Sequence, residues 1–362
     1  MIRIDEIYAN TFWPYVKKNI PLCRLFYCDP PGETKPENLM NYSTNDNELL
    51  YIYFHDQEPL DFDIHKPLFD QVVYRNRNCG YTHTTKQGLH CYDGPKKGAL
   101  VTSEYNSEAV AEACNKYGWQ SYYYFFHGWA ALDWYRGYDK TFLHQPKNIK
   151  HTFLCPNNIV GGKRQHRLEL FNELCKRNLV EANLISMPAV CPYEGISVQE
   201  LIDYDLKLPL CIDEFDNYAN NSHQITMWQQ SAECLLQVVT ETLFYGNRLH
   251  LTEKTFKPIV LKQPFILASC KGSLEYLRKY GFETFSSVWN ESYDEDNDNE
   301  RIQSIAWLLE ELEHSNCREW LAEQCAPIVE HNYNHFYGGG FERILWQELE
   351  NMLETLANDF RI

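Results

Sequence analysis

Residues 238–268, VVTETLFYGNRLHLTEKTFKPIVLKQPFILA, hold the residue types and spacing in this chain best suited to chemistry. An apolar run ends at Glu241, a polar loop follows, and Thr252-Glu253-Lys254 opens a short helical segment before a second apolar run, Pro264 to Ala268. Strand, acidic tip, loop, helix start and strand make half of an α/β unit. In an open parallel sheet, ligands bind beyond the carboxyl ends of the strands, where Glu241 and the triplet should meet. A lysine at a helix start adds a full positive charge to backbone N–H groups that already favour phosphate oxygens. A neighbouring carboxylate can take the hydroxyls of a ribose. The stretch predicts a nucleoside diphosphate site.

A second cluster lies upstream in residues 154–174, LCPNNIVGGKRQHRLELFNEL. Lys163, Arg164 and Arg167 gather at or just inside a helix start, behind the turn Gly161-Gly162. A helix dipole prefers carboxylates in its first turn, so three cations there suggest a recruited anion, with a solvated basic face as the alternative. Their place one α/β unit before Lys254 favours the anion.

Together these segments resemble the donor-site region of the α-1,3-fucosyltransferases. In that family a strand ends in a Phe-Glu-Asn-Ser-type element, and a spacer leads to Thr-Glu-Lys and a helix. Thr252-Glu253-Lys254 matches the triplet letter for letter, and Glu241 stands near the place of the upstream glutamate. Asn157, Arg167 and Leu174 fit the family's Asn-loop-Arg segment, which opens a helix ending on leucine, with Arg164 as the alternative to Arg167. The resemblance spans residues 150–290. Val239-Thr240-Glu241-Thr242-Leu243 departs from the family's acidic element, the spacer is longer, and Pro258 follows Lys254 closely.

The resemblance implies a GT-B glycosyltransferase, with two Rossmann-like domains facing across a cleft and the nucleotide sugar in the C-terminal one. It implies a GDP-fucose-like donor, a glycan hydroxyl as acceptor, and inverting transfer that needs neither metal nor cofactor. A leaving nucleoside diphosphate gathers negative charge as the glycosidic bond breaks, so fixed cations stabilise the transition state. Lys254 and Arg167 are assigned that role, with Arg164 assisting. Glu253 would hold the ribose hydroxyls as its family counterpart does. Glu241 would touch the sugar or nucleotide, or else serve as a capping carboxylate, and Thr252 would be both N-cap and phosphate neighbour. An inverting reaction needs a general base from the other domain. Asp56 and Glu58, past the apolar run 49–54, are candidates; Glu104 and Asp133 are rivals, and His55 and His127 are further alternatives. The stretch 54–60, FHDQEPL, resembles proteins encoded by large tailed phages.

The elements that must position these residues alternate as in a parallel α/β fold. Residues 49–54, 99–102 and 121–126 are expected strands, and 108–117 a helix capped by Ser107 and closed by Gly118. A linker at 138–150 precedes a second alternation: strand 152–154, a helix from Lys163, strand 208–212, the opening segment, and helices 273–280 and 301–314. Gly338-Gly339-Gly340 is expected to be a hinge before an amphipathic last helix. The expected domains are 1–148 on the acceptor side and 149–340 for the nucleotide sugar, with a helix 341–362 returning to the first.

Composition limits the partners. The chain has 362 residues, 44% hydrophobic, with a net charge of −17. That charge weighs against non-specific binding to nucleic acid or anionic membranes without excluding a local basic groove. Thirteen scattered cysteines without a C-x-x-C pair read as reduced core thiols. No apolar run is long enough for a membrane span, and the start lacks the pattern of a secretory signal, so a cytoplasmic protein is expected. Asp294, Asp296 and Asp298 alternate as in a calcium loop, but Asn299 and Ile305 occupy its glycine and glutamate positions, so residues 290–300 are expected to be a solvated acidic loop. Two other readings stand beside the glycan transferase: glycosyl transfer to modified bases of phage DNA, and a non-catalytic binding or virion protein of the same fold.

Overall fold

The structure is a computed structural model that describes residues 2–29, 34–44, 50–78, 97–138, 147–191, 194–212, 224–225, 227–315 and 317–360, with the side chains of 74–78 left aside. Two compact α/β units are present. One comprises Met1–Asp133 with Ile344–Ile362, the other Trp134–Arg343. These units divide the chain at 133/134 and 343/344, where the expected domain bounds are 148/149 and 340/341. Most of the expected linker, 139–146, lies outside the described residues.

The first unit is built on five strands, β1 (Cys23–Cys28), β2 (Leu39–Ser43), β3 (Leu50–His55), β4 (Lys97–Thr102) and β5 (Gln120–Tyr123), in the order β2-β1-β3-β4-β5. Only β2 runs antiparallel, at the edge, while β3 pairs in parallel with both β1 and β4. All six β3 residues are buried, because a parallel strand covered on both faces needs an unbroken apolar run. Helix α1 (Trp13–Asn19) precedes the sheet. Helices α2 (Phe62–Asn78) and α3 (Glu108–Tyr117) cover one face through Leu68, Phe69, Val110 and Ala113, which pack with Tyr51, Tyr53 and Leu100. On the other face Tyr8 stacks on Tyr27 and Phe12 lies against Phe54, each pair with ring centres 4.5 Å apart. Helix α4 (Phe126–Tyr135) follows β5, so the apolar run 121–126 is strand only as far as Tyr123.

Local signals hold best in α3. Ser107 accepts the Val110 N–H, and Gly118 ends the helix at φ 66°, as the capping residues required.

The second unit carries β6 (His151–Cys155), β7 (Leu184–Ile185), β8 (Cys234–Thr240) and β9 (Phe265–Ala268), all parallel, in the order β7-β6-β8-β9. The chain leaves β6 to one side for β7 and then crosses to β8 on the other. That reversal is a topological switch point between β6 and β8. Its helices are α5 (Gln165–Lys176), α6 (Trp228–Glu233), α7 (Glu253–Val260), α8 (Ser273–Lys279), α9 (Asp298–His314) and α10 (Arg318–Tyr337). Pro258 sits inside α7, a helix of only eight residues.

The expected strand 208–212 does not form. Leu210 makes an isolated antiparallel bridge with Met187, because Pro209 has no N–H to extend a ladder. Residues 213–223 beyond it lie outside the described residues. The glycine hinge is instead a tight turn between α10 and helix α11 (Gly340–Asp359), where a Cβ on Gly340 would strike the His335 ring. Helix α11 packs in the first unit: Trp346 meets Trp129 edge-on at 4.9 Å, and Glu348 accepts the Phe125 N–H at 2.7 Å.

Among the described residues no helix is long and apolar enough to cross a membrane. The described cysteines are free, and most of them are buried.

Candidate nucleotide-binding site

The carboxyl ends of β6 and β8 gather the residues singled out in the second unit. Just past β6, Asn157 receives the Thr240 hydroxyl on Oδ1 at 2.8 Å and donates its N–H to Ser186 Oγ at 2.8 Å. The two strands at the switch point are thereby tied together by one side-chain amide.

Glu241, fully buried at the end of β8, is the anchor of α7. Oε1 accepts the Thr252 N–H at 3.0 Å and the Thr255 hydroxyl at 2.6 Å. Oε2 accepts the Thr252 hydroxyl at 2.6 Å and the Thr242 N–H at 3.2 Å. Four donors occupy the carboxylate, so it fixes where the helix starts, the capping role weighed beside contact with sugar or nucleotide. Thr252 is the N-cap, with its hydroxyl oxygen accepting the Lys254 N–H at 3.4 Å. The Lys254 ammonium stands in the mouth of this turn, 3.0 Å from Glu253 Oε1 and 3.2 Å from Thr252 Oγ1, with its side chain about a third exposed.

Arg167 is buried and engages backbone carbonyls. Nη1 donates to Ile159 at 2.7 Å, and Nη2 donates to Thr240 at 2.7 Å and Glu241 at 3.3 Å. Burial, with help from nearby Arg164, lowers its pKa to about 10. A guanidinium whose terminal nitrogens bond three carbonyls positions the loop 157–164 against β8, beside the phosphate role expected of it. His166 adds to the clamp. Its Nε2–H donates to the Glu241 carbonyl at 3.1 Å, its ring stacks on Phe244 at 4.9 Å, and burial holds it neutral.

The cations that face outward are Lys163, which is exposed, and Arg164, the half-buried N-cap residue of α5. Arg248 joins them, a residue sequence reasoning missed. The Lys163 pKa is lowered by partial burial and then by the charges of Arg248 and Arg164. Arg248 comes from the loop between β8 and α7 and is tied by its backbone to the Cys270 thiol just after β9. Its charge and the Tyr245-Gly246-Asn247-Arg248 loop around it were visible, but its approach to residue 163 depends on the strand order. Like charges drawn together at strand ends repel one another, and an anion between them would relieve that repulsion.

The general-base candidates lie in the first unit. Asp56 follows β3 and is almost fully buried, with the Tyr8 hydroxyl donating to Oδ1 at 2.6 Å and the Tyr124 hydroxyl to Oδ2. Burial raises its pKa to about 6 against the pull of both hydroxyls. Glu104, past β4, is buried and accepts the Leu60 N–H and, at 2.6 Å, the Ser107 hydroxyl. Asp133 on α4 accepts the Ile4 N–H at 2.9 Å. Glu58, two residues beyond Asp56, is half-buried. Of the histidines, His55 meets the Tyr53 hydroxyl through Nδ1 at 2.9 Å, and His127 is buried at the start of α4.

The acidic stretch 290–300 is not the solvated loop expected. Asp294 is buried and accepts the Leu274 N–H at 3.0 Å, Asp296 accepts the Ser304 hydroxyl at 2.6 Å, and Asp298 pairs with the buried Arg301. Alternating aspartates here serve three separate structural partners. Among the described residues no group of three His, Cys, Asp or Glu side chains could hold a metal ion.

No protein-family model matches the chain, and no curated protein does. Among solved structures it is similar to the crystal structure of the DNA-modifying enzyme β-glucosyltransferase in the presence and absence of the substrate uridine diphosphoglucose. The TM-score is 0.42 and the identity 8%, over 84% of this chain and 74% of that one.

Proposed function

We propose that the second unit binds a nucleoside diphosphate sugar and that the protein is a glycosyltransferase passing the sugar to an acceptor hydroxyl. The observation that carries this reading is the gathering of Lys163, Arg164 and Arg248 at the β6/β8 switch point, on the sheet edge where Lys254 opens α7. In this reading Lys254 with Lys163 and Arg164 take the diphosphate, and their charge stabilises the leaving group as the glycosidic bond breaks. Arg167, Asn157, Glu241 and Thr252 hold that geometry, and Glu253, buried beside Lys254, is assigned the ribose hydroxyls. The fixed cations perform the neutralisation that other transferases assign to a divalent ion.

Inverting transfer further needs a base for the acceptor hydroxyl. Its greater openness than Asp56 or Glu104 favours Glu58. The acceptor is taken as a glycan hydroxyl.

A panel of GDP-, UDP-, ADP- and CDP-sugars tests the reading by slow donor hydrolysis. One donor is expected to turn over, and Lys254→Ala should slow it about a hundredfold, the scale seen when one charge-stabilising donor is removed. Turnover of none, or turnover untouched by Lys254→Ala, would contradict the assignment. With the active donor in hand, saccharides and duplex DNA carrying hydroxymethylated bases form the acceptor panel. Transfer to the DNA would replace the glycan reading.

A further inference from the structure

Gly161 and Gly162 adopt φ of 83° and 50°, and their carbonyls start α5 by accepting the Arg164 N–H at 2.9 Å and the Gln165 N–H at 3.1 Å. A carboxylate lies against both glycines. A Cβ on Gly161 would come within 2.6 Å of Glu194 Oε2, and one on Gly162 within 3.0 Å of Oε1. Each oxygen of Glu194 thus covers one glycine, immediately before the cations Lys163 and Arg164. The approach is held from behind. The Cys191 thiol hydrogen-bonds Glu194, Cys191 N–H donates to the Ile196 carbonyl at 2.8 Å, and Val190 bridges Ser197. An exposed glutamate fixed over a glycine turn, at the mouth of a cation cluster, has the charge and planar oxygens of a ligand's anionic group.

We propose that Glu194 is a built-in occupant of the anion seat at Gly161-Gly162 and competes with the ligand's phosphate, so that binding requires exchange of one for the other. The inference rests on the reading of the second unit as a nucleotide site and deepens it. Two anions cannot share the seat. Occupation by Glu194 lowers the apparent affinity for every anion by the same factor, so a diphosphate with several contacts still binds at concentrations where a monoanion does not.

Isothermal titration of the full chain with inorganic pyrophosphate, GDP, UDP and acetate tests this with Glu194→Gln, which keeps shape and removes charge. Glu194→Ala serves as the second variant. Both variants should bind pyrophosphate and the preferred nucleotide about tenfold more tightly than wild type, with a gain for acetate no larger than that. Binding by wild type with no gain, or with a loss, in both variants would overturn the inference while leaving the nucleotide site standing; a loss would make Glu194 a ligand contact. Binding of pyrophosphate and nucleotide by neither wild type nor variants would overturn both readings.

Discussion

Lys254, Glu241 and Arg167 carry similar weight in the sequence, yet the fold gives them different work. Lys254 keeps an ammonium at the surface, whereas Glu241 is saturated by partners from the fold itself and Arg167 spends both terminal nitrogens on backbone carbonyls. The difference is one of hydrogen-bond counting, since a buried charged group persists only if its donors and acceptors are met. Asp56 shows the same principle in the first unit and yields a pH dependence. Its carboxyl ionises near 3.8 when unfolded and near 6 when folded, with burial the leading cause. The folded state therefore holds the proton more tightly. The stability contributed by this group is complete below about 3.8 and is lost as pH rises through about 6. Relative to Asp56→Asn, which cannot ionise, wild type should lose melting temperature between pH 4 and pH 7. Asp294, raised likewise to about 6, is common to both proteins and cancels from the difference. A difference that stays flat across this range would contradict the buried, tyrosine-bound state of Asp56.

At the scale of elements, β8 and α7 form one mechanical part because Glu241 joins them. Glu241→Gln replaces one acceptor oxygen with an amide that faces donors. The loss should be about 2–4 kcal/mol, read as a lower urea midpoint at unchanged slope. A change below about 0.5 kcal/mol would show that the four bonds are not load-carrying. Elements whose signals are local were legible in the sequence: α3 between Ser107 and Gly118, the break after β8, and the Thr252 cap of α7. Elements defined by a distant partner were not. The segment 23–28, CRLFYC, with a charge at its second position, gave no sign that it would pair with β3, and 208–212, apolar enough for a strand, found no ladder. The site divides in the same way. Lys163, Arg164 and Lys254 were legible from helix starts, while Arg248 and Glu194 reach the glycine turn only through tertiary folding.

At the scale of the whole molecule, a chain of net charge −17 concentrates positive charge on one sheet edge of one unit. The net negative charge weighs against gathering polyanions indiscriminately. Both sheets reverse direction between two neighbouring parallel strands, β1/β3 and β6/β8, and each reversal has its singled-out residues at its carboxyl end, Asp56 in one and Asn157 with Glu241 in the other. The second of these is the proposed nucleotide site. It is tested most directly by the thermal shift of the full chain with GDP, UDP, ADP and CDP, in wild type and Lys254→Ala. At a hundredfold excess over Kd one nucleotide should stabilise wild type by about 2.7 kcal/mol, on the order of 5–10 °C for a unit of this size. Lys254→Ala should melt near wild type when unliganded and lose most of that shift. No shift with any nucleotide, or an equal shift in Lys254→Ala, would contradict the account.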